Sequence, residues 1–177
     1  MVVYYSIYIA GLHHRTTFAN SQDGTIIDFA PPKNRVVQNF NLAGTWLLES
    51  WTEEDDRGII IYPQGEFCSG FITFGYDEYT MVIYGAKRDI FKQMADRLSH
   101  DYHHRLNLFS AIISHTGYYR IINNQIAHMV VDSNHHMWQS SCRYTYYRVY
   151  GDRLKLSTPP FIKDGVRYIS NQIWIKI

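Results

Sequence analysis

Leu42-Ala43-Gly44-Thr45-Trp46-Leu47-Leu48-Glu49-Ser50-Trp51 is the stretch on which the fold turns. A glycine two residues before a tryptophan, at the head of an alternating apolar run, reads as the opening strand of a closed antiparallel sheet. Glycine lets the backbone bend and a neighbouring strand come close, and tryptophan is large enough to plug one end of a small barrel. With strict alternation, Trp46, Leu48 and Ser50 share one face, and Leu47, Glu49 and Trp51 share the other. The first set is the candidate interior. A plugged barrel is a container, so the question becomes what it contains.

Working outward, short apolar runs recur between turn signals, the pattern of an all-β chain. Asp55-Asp56-Arg57-Gly58, Pro63-Gln64-Gly65-Glu66, Tyr76-Asp77-Glu78, Asn123-Asn124 and Gly151-Asp152 are the turns. They set off strands at 42–51, 59–62, 67–75, 79–85, 117–122, 125–132, 138–150, 153–157 and 166–177. That is one strand more than an eight-stranded barrel needs. Between the fourth and fifth, Phe91, Met94, Ala95, Leu98, Tyr102, Leu106, Phe109 and Ile113 recur at three- and four-residue steps. This stripe predicts a helical segment over about 88–114, lying across the barrel mouth or packed on its outside. Residues 1–41 read as an arm outside the barrel, with short strands at 3–7 and 25–29.

Composition excludes several function classes. The chain has 177 residues and a formal net charge of +1, which gives no electrostatic case for nucleic acid or an anionic membrane surface. The apolar N-terminus lacks a basic lead and is interrupted by Tyr4, Tyr5 and Ser6, so it does not read as a signal peptide. No run is long enough to span a membrane as a helix. Cys68 and Cys142 make no disulfide framework and read as reduced thiols of a cytoplasmic protein. There is no phosphate-binding glycine loop and no nucleophile elbow. Asp96, His100 and His104 fall on one helical face, but they flank the apolar stripe as a solvated edge would. The expectation is therefore a barrel with no cofactor and no metal, and homodimerisation is left open.

Several blocks together resemble a known family: Leu42-Ala43-Gly44-Thr45-Trp46, Ser50-Trp51, Tyr62-Pro63-Gln64-Gly65, Gly70-Phe71-Ile72, Gly117-Tyr118-Tyr119 and the run from Gly151 to Pro160. In order and content they resemble the lipocalin-like domain proteins of bacteria and of fungal biosynthetic clusters, over about residues 42–177. The resemblance implies a mainly β fold, an antiparallel barrel of about eight or nine strands with an inserted helical segment, holding a hydrophobic small molecule. The ligand it suggests is aromatic or otherwise hydrophobic, such as a secondary metabolite. Some related barrels catalyse cyclisation or isomerisation of natural products.

Two polar residues stand out as candidates for chemistry. His128 alternates with Ile126 and Val130, so its imidazole shares a face with apolar side chains and could serve in proton transfer. A core imidazole bonded to a backbone carbonyl is the plainer reading. Arg143 alternates with Thr145 and Tyr147 in the longest strand. It would brace Trp46 by stacking, bind a ligand carboxylate or enolate, or face solvent. Trp46, Tyr84, Tyr119, Trp138 and Tyr147 are the candidate ligand-lining residues. Three functions fit this pattern: a binding barrel, a cofactor-free cyclase or isomerase of polyketide- or terpenoid-like intermediates, or an interaction module whose barrel is filled by its own side chains.

Overall fold

The computed structural model describes the backbone of residues 17–19 and 26–28, and residues 41–85, 112–135 and 138–177 in full. Its first two strands, β1 (Thr17–Ala19) and β2 (Ile26–Asp28), pair with each other in a sheet of their own. β2 falls where Thr25–Phe29 is predicted to extend. The expected strand at 3–7 lies outside the described residues.

The remaining strands form one sheet: β3 (Gly44–Asp55), β4 (Ile60–Ile61), β5 (Ser69–Phe74), β6 (Glu78–Tyr84), β7 (Ile112–Ile122), β8 (Gln125–Ser133), β9 (Ser141–Tyr150), β10 (Arg153–Ser157), β11 (Phe161–Lys163) and β12 (Val166–Lys176). Neighbours run β3-β5-β6-β7-β8-β9-β10-β12, all antiparallel, and β12 returns to pair with β3 along Trp46–Asp55. Eight strands thus close into a barrel, and closure removes the unpaired edges that an open sheet would expose. The surplus strand of the sequence count is β4, a two-residue flap paired with Glu53 and Glu54 outside the cylinder. A second flap, β11, pairs with Val166–Tyr168. Its two-residue turn, Asp164-Gly165, has φ of +53° and +77°, the mirror-image hairpin geometry for which Asp-Gly is a strong signal.

Two expectations are corrected here. Among the described residues there is no helix, and the predicted helical segment lies mostly on 86–111, outside them. Where it overlaps them, at Ile112, Ile113 and Ser114, the chain is the first part of β7 and pairs with Val82–Tyr84. Ile113 follows Phe109 by four residues, a step that returns to the same face of a strand as well as of a helix, so spacing there does not separate the two. Trp138 likewise precedes its strand. It opens the turn before Ser141, with its N–H donating to the His135 carbonyl at 2.8 Å.

The alternation at β3 holds only halfway. Trp174 pairs with Leu48 while Ile173 pairs with Ser50, so Glu49 is an extra residue and the strand bulges. One extra residue exchanges the two faces. Trp46 and Leu48 point in before the bulge, and after it Trp51, Glu53 and Asp55 do, the last two buried. Trp51, expected outside, therefore lies inside, donating its indole N–H to Ser170 Oγ at 2.7 Å and packing on the core. Glu49 stays outside and takes a two-bond contact from Arg153, both at 3.1 Å.

Trp46 is fully buried where the sequence places it, with its indole N–H donating to the Leu42 carbonyl at 2.8 Å. With Trp174, Leu42, Leu154, Phe74 and Tyr119 it fills the end of the barrel where β3 begins and β12 finishes. That end is a solid floor. The loops after β3, β8 and β10 leave from the opposite end, where β6 also ends and β7 begins.

Candidate functional site

Above the floor the barrel is hollow. A cavity of about 840 Å³ is walled by Trp51, Met81, Ile83, Ile113 and Leu156 and by the polar groups Glu53, His115, His128, Arg143 and Gln172, among others. Its wall has a seam. β9 pairs with β10 only from Tyr146 to Tyr150, and Ser157 is the last residue of β10 before Thr158-Pro159-Pro160. Prolines have no N–H to continue a ladder, so among the described residues the β9–β10 ladder goes no further than Tyr146 and Ser157. Cys142 and Tyr144, from the outer face of β9, border the cavity as well, so part of its volume extends through this seam.

Strand pairing assembles the polar part of the wall. His128 on β8 lies opposite Arg143 on β9 and Tyr119 on β7, and His115 on β7 lies opposite Met81 on β6. His128 Nε2 is 3.0 Å from Thr145 Oγ1, and His115 Nδ1 is 2.9 Å from the Tyr79 hydroxyl. The Tyr79 ring stands edge-on to both imidazoles, with centroids 4.7 Å from His128 and 5.4 Å from His115. At the rim the Arg143 guanidinium lies over the Trp138 ring, 4.2 Å from its centroid, and His135 packs on Trp138 at 4.9 Å.

Burial dominates the electrostatics. It pushes His128 down to about 3, with the His115 and Arg143 charges adding to the effect. It pushes His115 down to about 4, with Arg143 and His135 adding. Tyr79 is driven well above the usual phenol range, and the Cys142 thiol is raised to about 11, both chiefly by burial. Arg143 is lowered by desolvation, partly offset by Tyr79. It nevertheless keeps exposed surface, and it borders the cavity. The wall therefore holds two neutral imidazoles, the Arg143 guanidinium and the Lys163–Glu53 pair. The near-neutral imidazole that would suit proton transfer at His128 is not what the geometry provides.

These shifts carry a pH dependence. Both histidines ionise near 6.5 when unfolded and far lower when folded, so the unfolded chain binds more protons between those values. Stability is full above about pH 6.5 and falls as the solution is acidified through that window, by about 2 kcal/mol per histidine at about pH 5. Melting temperatures measured at about pH 7.5 and about pH 5 should show this loss, and it should shrink by roughly half in His128→Gln. An unchanged loss in the variant would place the acid sensitivity elsewhere.

The candidate residues distribute unevenly. His128, Arg143 and Trp138 border the cavity. Trp46 and Tyr119 are fully buried in the floor and lower wall, the Tyr119 hydroxyl donating to the Gly75 carbonyl at 2.9 Å. Tyr147 points inward but packs against the core. Tyr84 has the parity of Glu78 and Thr80 and so faces outward. Arg143 does not brace Trp46: its ring is Trp138, at the other end, and the cation nearest Trp46 is Lys176, 5.1 Å from the ring centroid. His115, Trp51, Glu53 and Tyr79 were missed. A strand assignment at 112–116 would have exposed His115, whereas Trp51 needed the bulge. Asp96, His100 and His104 lie outside the described residues, among which no group of three or more His, Cys, Asp or Glu is placed to hold a metal. Nor is any helix there long and apolar enough to cross a membrane.

A closed eight-stranded antiparallel barrel with a tryptophan floor and a partly apolar lumen defines the class of up-and-down β-barrels. The family profile of the lipocalin-like domain matches residues 43–174, and the chain belongs to that family. Among solved structures it is similar to a lipocalin-like protein from Bacteroides uniformis ATCC 8492. The two are 13% identical over 77% of this chain and 99% of that one, with a TM-score of 0.42, a likeness too loose to add to the assignment. No curated protein matches the sequence.

Proposed function

We propose that this protein is a container for a hydrophobic, aromatic small molecule, such as a secondary metabolite, held in the barrel lumen. The observation that carries this reading is the cavity of about 840 Å³, inside the range of about 300–1,000 Å³ typical of small-molecule sites. A barrel filled by its own side chains would leave no such space, which counts against the interaction-module reading. Trp51, Trp138, Met81, Ile83 and Leu156 offer aromatic and aliphatic surface, with a few polar groups to fix orientation.

The second reading, a cofactor-free cyclase or isomerase, draws on the same cavity. Arg143 faces the lumen and would stabilise a developing enolate there. The two imidazoles support it less, since neither ionises near neutral pH. Binding is therefore the reading we favour.

Trp51 and Trp138 make the test direct. Titrating the protein with a panel of aromatic polyketides and fatty acids should quench or shift tryptophan fluorescence, with affinities of about micromolar or better for the best members. Trp138→Phe should reduce the signal change. A flat response across the whole panel would remove the container reading.

A further inference from the structure

Among the described residues, Arg143 is the charged group on the cavity wall that no ion pair engages. The ion pairs among the described residues engage Arg57, Arg153 and Lys163, the last with Glu53 at 3.5 Å, and none engages Arg143. Its ring partner is the neutral face of Trp138. Its cross-strand neighbour His128 is a neutral imidazole, as is His115 nearby.

The charge is tolerable because the guanidinium keeps surface open to water where it borders the cavity. A guest that fills the lumen displaces that water. A wholly apolar guest would then leave a cation desolvated and unpaired, which is among the costliest arrangements a protein can hold. A guest with an anionic oxygen group placed at Arg143 replaces the lost solvation with charge-assisted hydrogen bonds, for which the planar guanidinium fork is suited. The rest of the same guest meets Met81, Ile83, Ile113 and Leu156.

From this we infer that the ligand is an amphipathic acid, an apolar or aromatic body carrying one carboxylate that pairs with Arg143. The inference rests on the container reading and narrows it to a chemical class.

The test uses the full chain and a matched pair of fluorescent probes, pyrenebutyrate and its methyl ester. The acid should bind about tenfold to a hundredfold more tightly than the ester. Arg143→Gln should erase that preference by weakening the acid about tenfold or more while leaving the ester within about twofold. Arg143→Lys, which keeps the charge but not the fork, should retain part of it. Arg153→Gln removes a cation from the outer face and should change nothing, which separates local pairing from overall charge. Melting curves of each variant establish that it is folded, and Arg143→Lys carries the test if Arg143→Gln is not. Equal binding of acid and ester leaves the container standing and overturns the acid inference. Failure of both probes and of the wider ligand panel removes the container reading, and this inference with it.

Discussion

Gly117→Ala will cost the barrel about 4 kcal/mol or leave it unable to fold, a far larger effect than a single added methyl produces at an ordinary strand position. A Cβ at 117 would sit 1.8 Å from the Met129 carbonyl oxygen, 2.9 Å from the Val131 amide nitrogen and 3.0 Å from the Met129 carbonyl carbon. All three atoms are backbone, so no rotamer change can relieve the clash. The close approach has a cause: β8 bulges here, with Thr116 opposite Asp132 and Gly117 opposite Val130, so that Val131 is extra and the two main chains press together. To accept a side chain, β7 and β8 would have to part, loosening the pairing that sets His128 against Arg143. Gly151→Ala is the contrast, since a Cβ there meets nothing within 4 Å and only its φ of +60° is strained, a cost of about 1 kcal/mol. Urea midpoints of the two variants, read with an unchanged slope, measure the difference. A loss below about 1 kcal/mol at Gly117 would mean that the bulge yields easily, and the register described above would have to be abandoned.

Trp46→Ala should be the most damaging of the side-chain truncations, at about 3–5 kcal/mol. Trp46 is fully buried with Trp174 and Leu42, so its removal opens a void in a floor that backbone on all sides prevents from collapsing. It also frees the Leu42 carbonyl, which Trp46 Nε1 satisfies at 2.8 Å. Trp46→Phe separates the two contributions: it keeps most of the volume and loses the hydrogen bond, and should cost about half as much. The void would join the lumen from below, so ligand affinity in Trp46→Phe should hold while that of Trp46→Ala falls. A cost under about 1 kcal/mol for Trp46→Ala would show that the floor is not packed around this ring.

Both effects bear on how far the chain could be read unfolded. The inward placement of Trp46, the turns at Asp55–Gly58, Asn123-Asn124 and Gly151-Asp152, and the antiparallel barrel all follow from local rules: alternation, turn chemistry and residue size. His128 was legible on the same ground, because residues two apart in a regular strand share a face, whereas the sequence left Arg143 open between Trp46, a ligand and solvent. The Asp164-Gly165 signal was equally local and would have found β11 had it been weighted. His115 was lost to a competing local pattern, three- and four-residue apolar spacing running past the end of the 86–111 segment.

What the sequence by itself determined is therefore the class of fold, the plugged end and the apolar face that His128 shares, since each depends on neighbours a few positions away. Tertiary structure alone decided which way Trp51 and Glu53 point, because the bulge at Glu49 exists only relative to β12, and Trp51 finds Ser170 across 119 residues of chain. It also decided that Arg143 stacks on Trp138, and that β10 gives way to Thr158-Pro159-Pro160 once Ser157 has paired with Tyr146 of β9. Parity along a strand is a local property. Register against a distant partner comes from closing the sheet, and closure sets what the lumen presents to a guest.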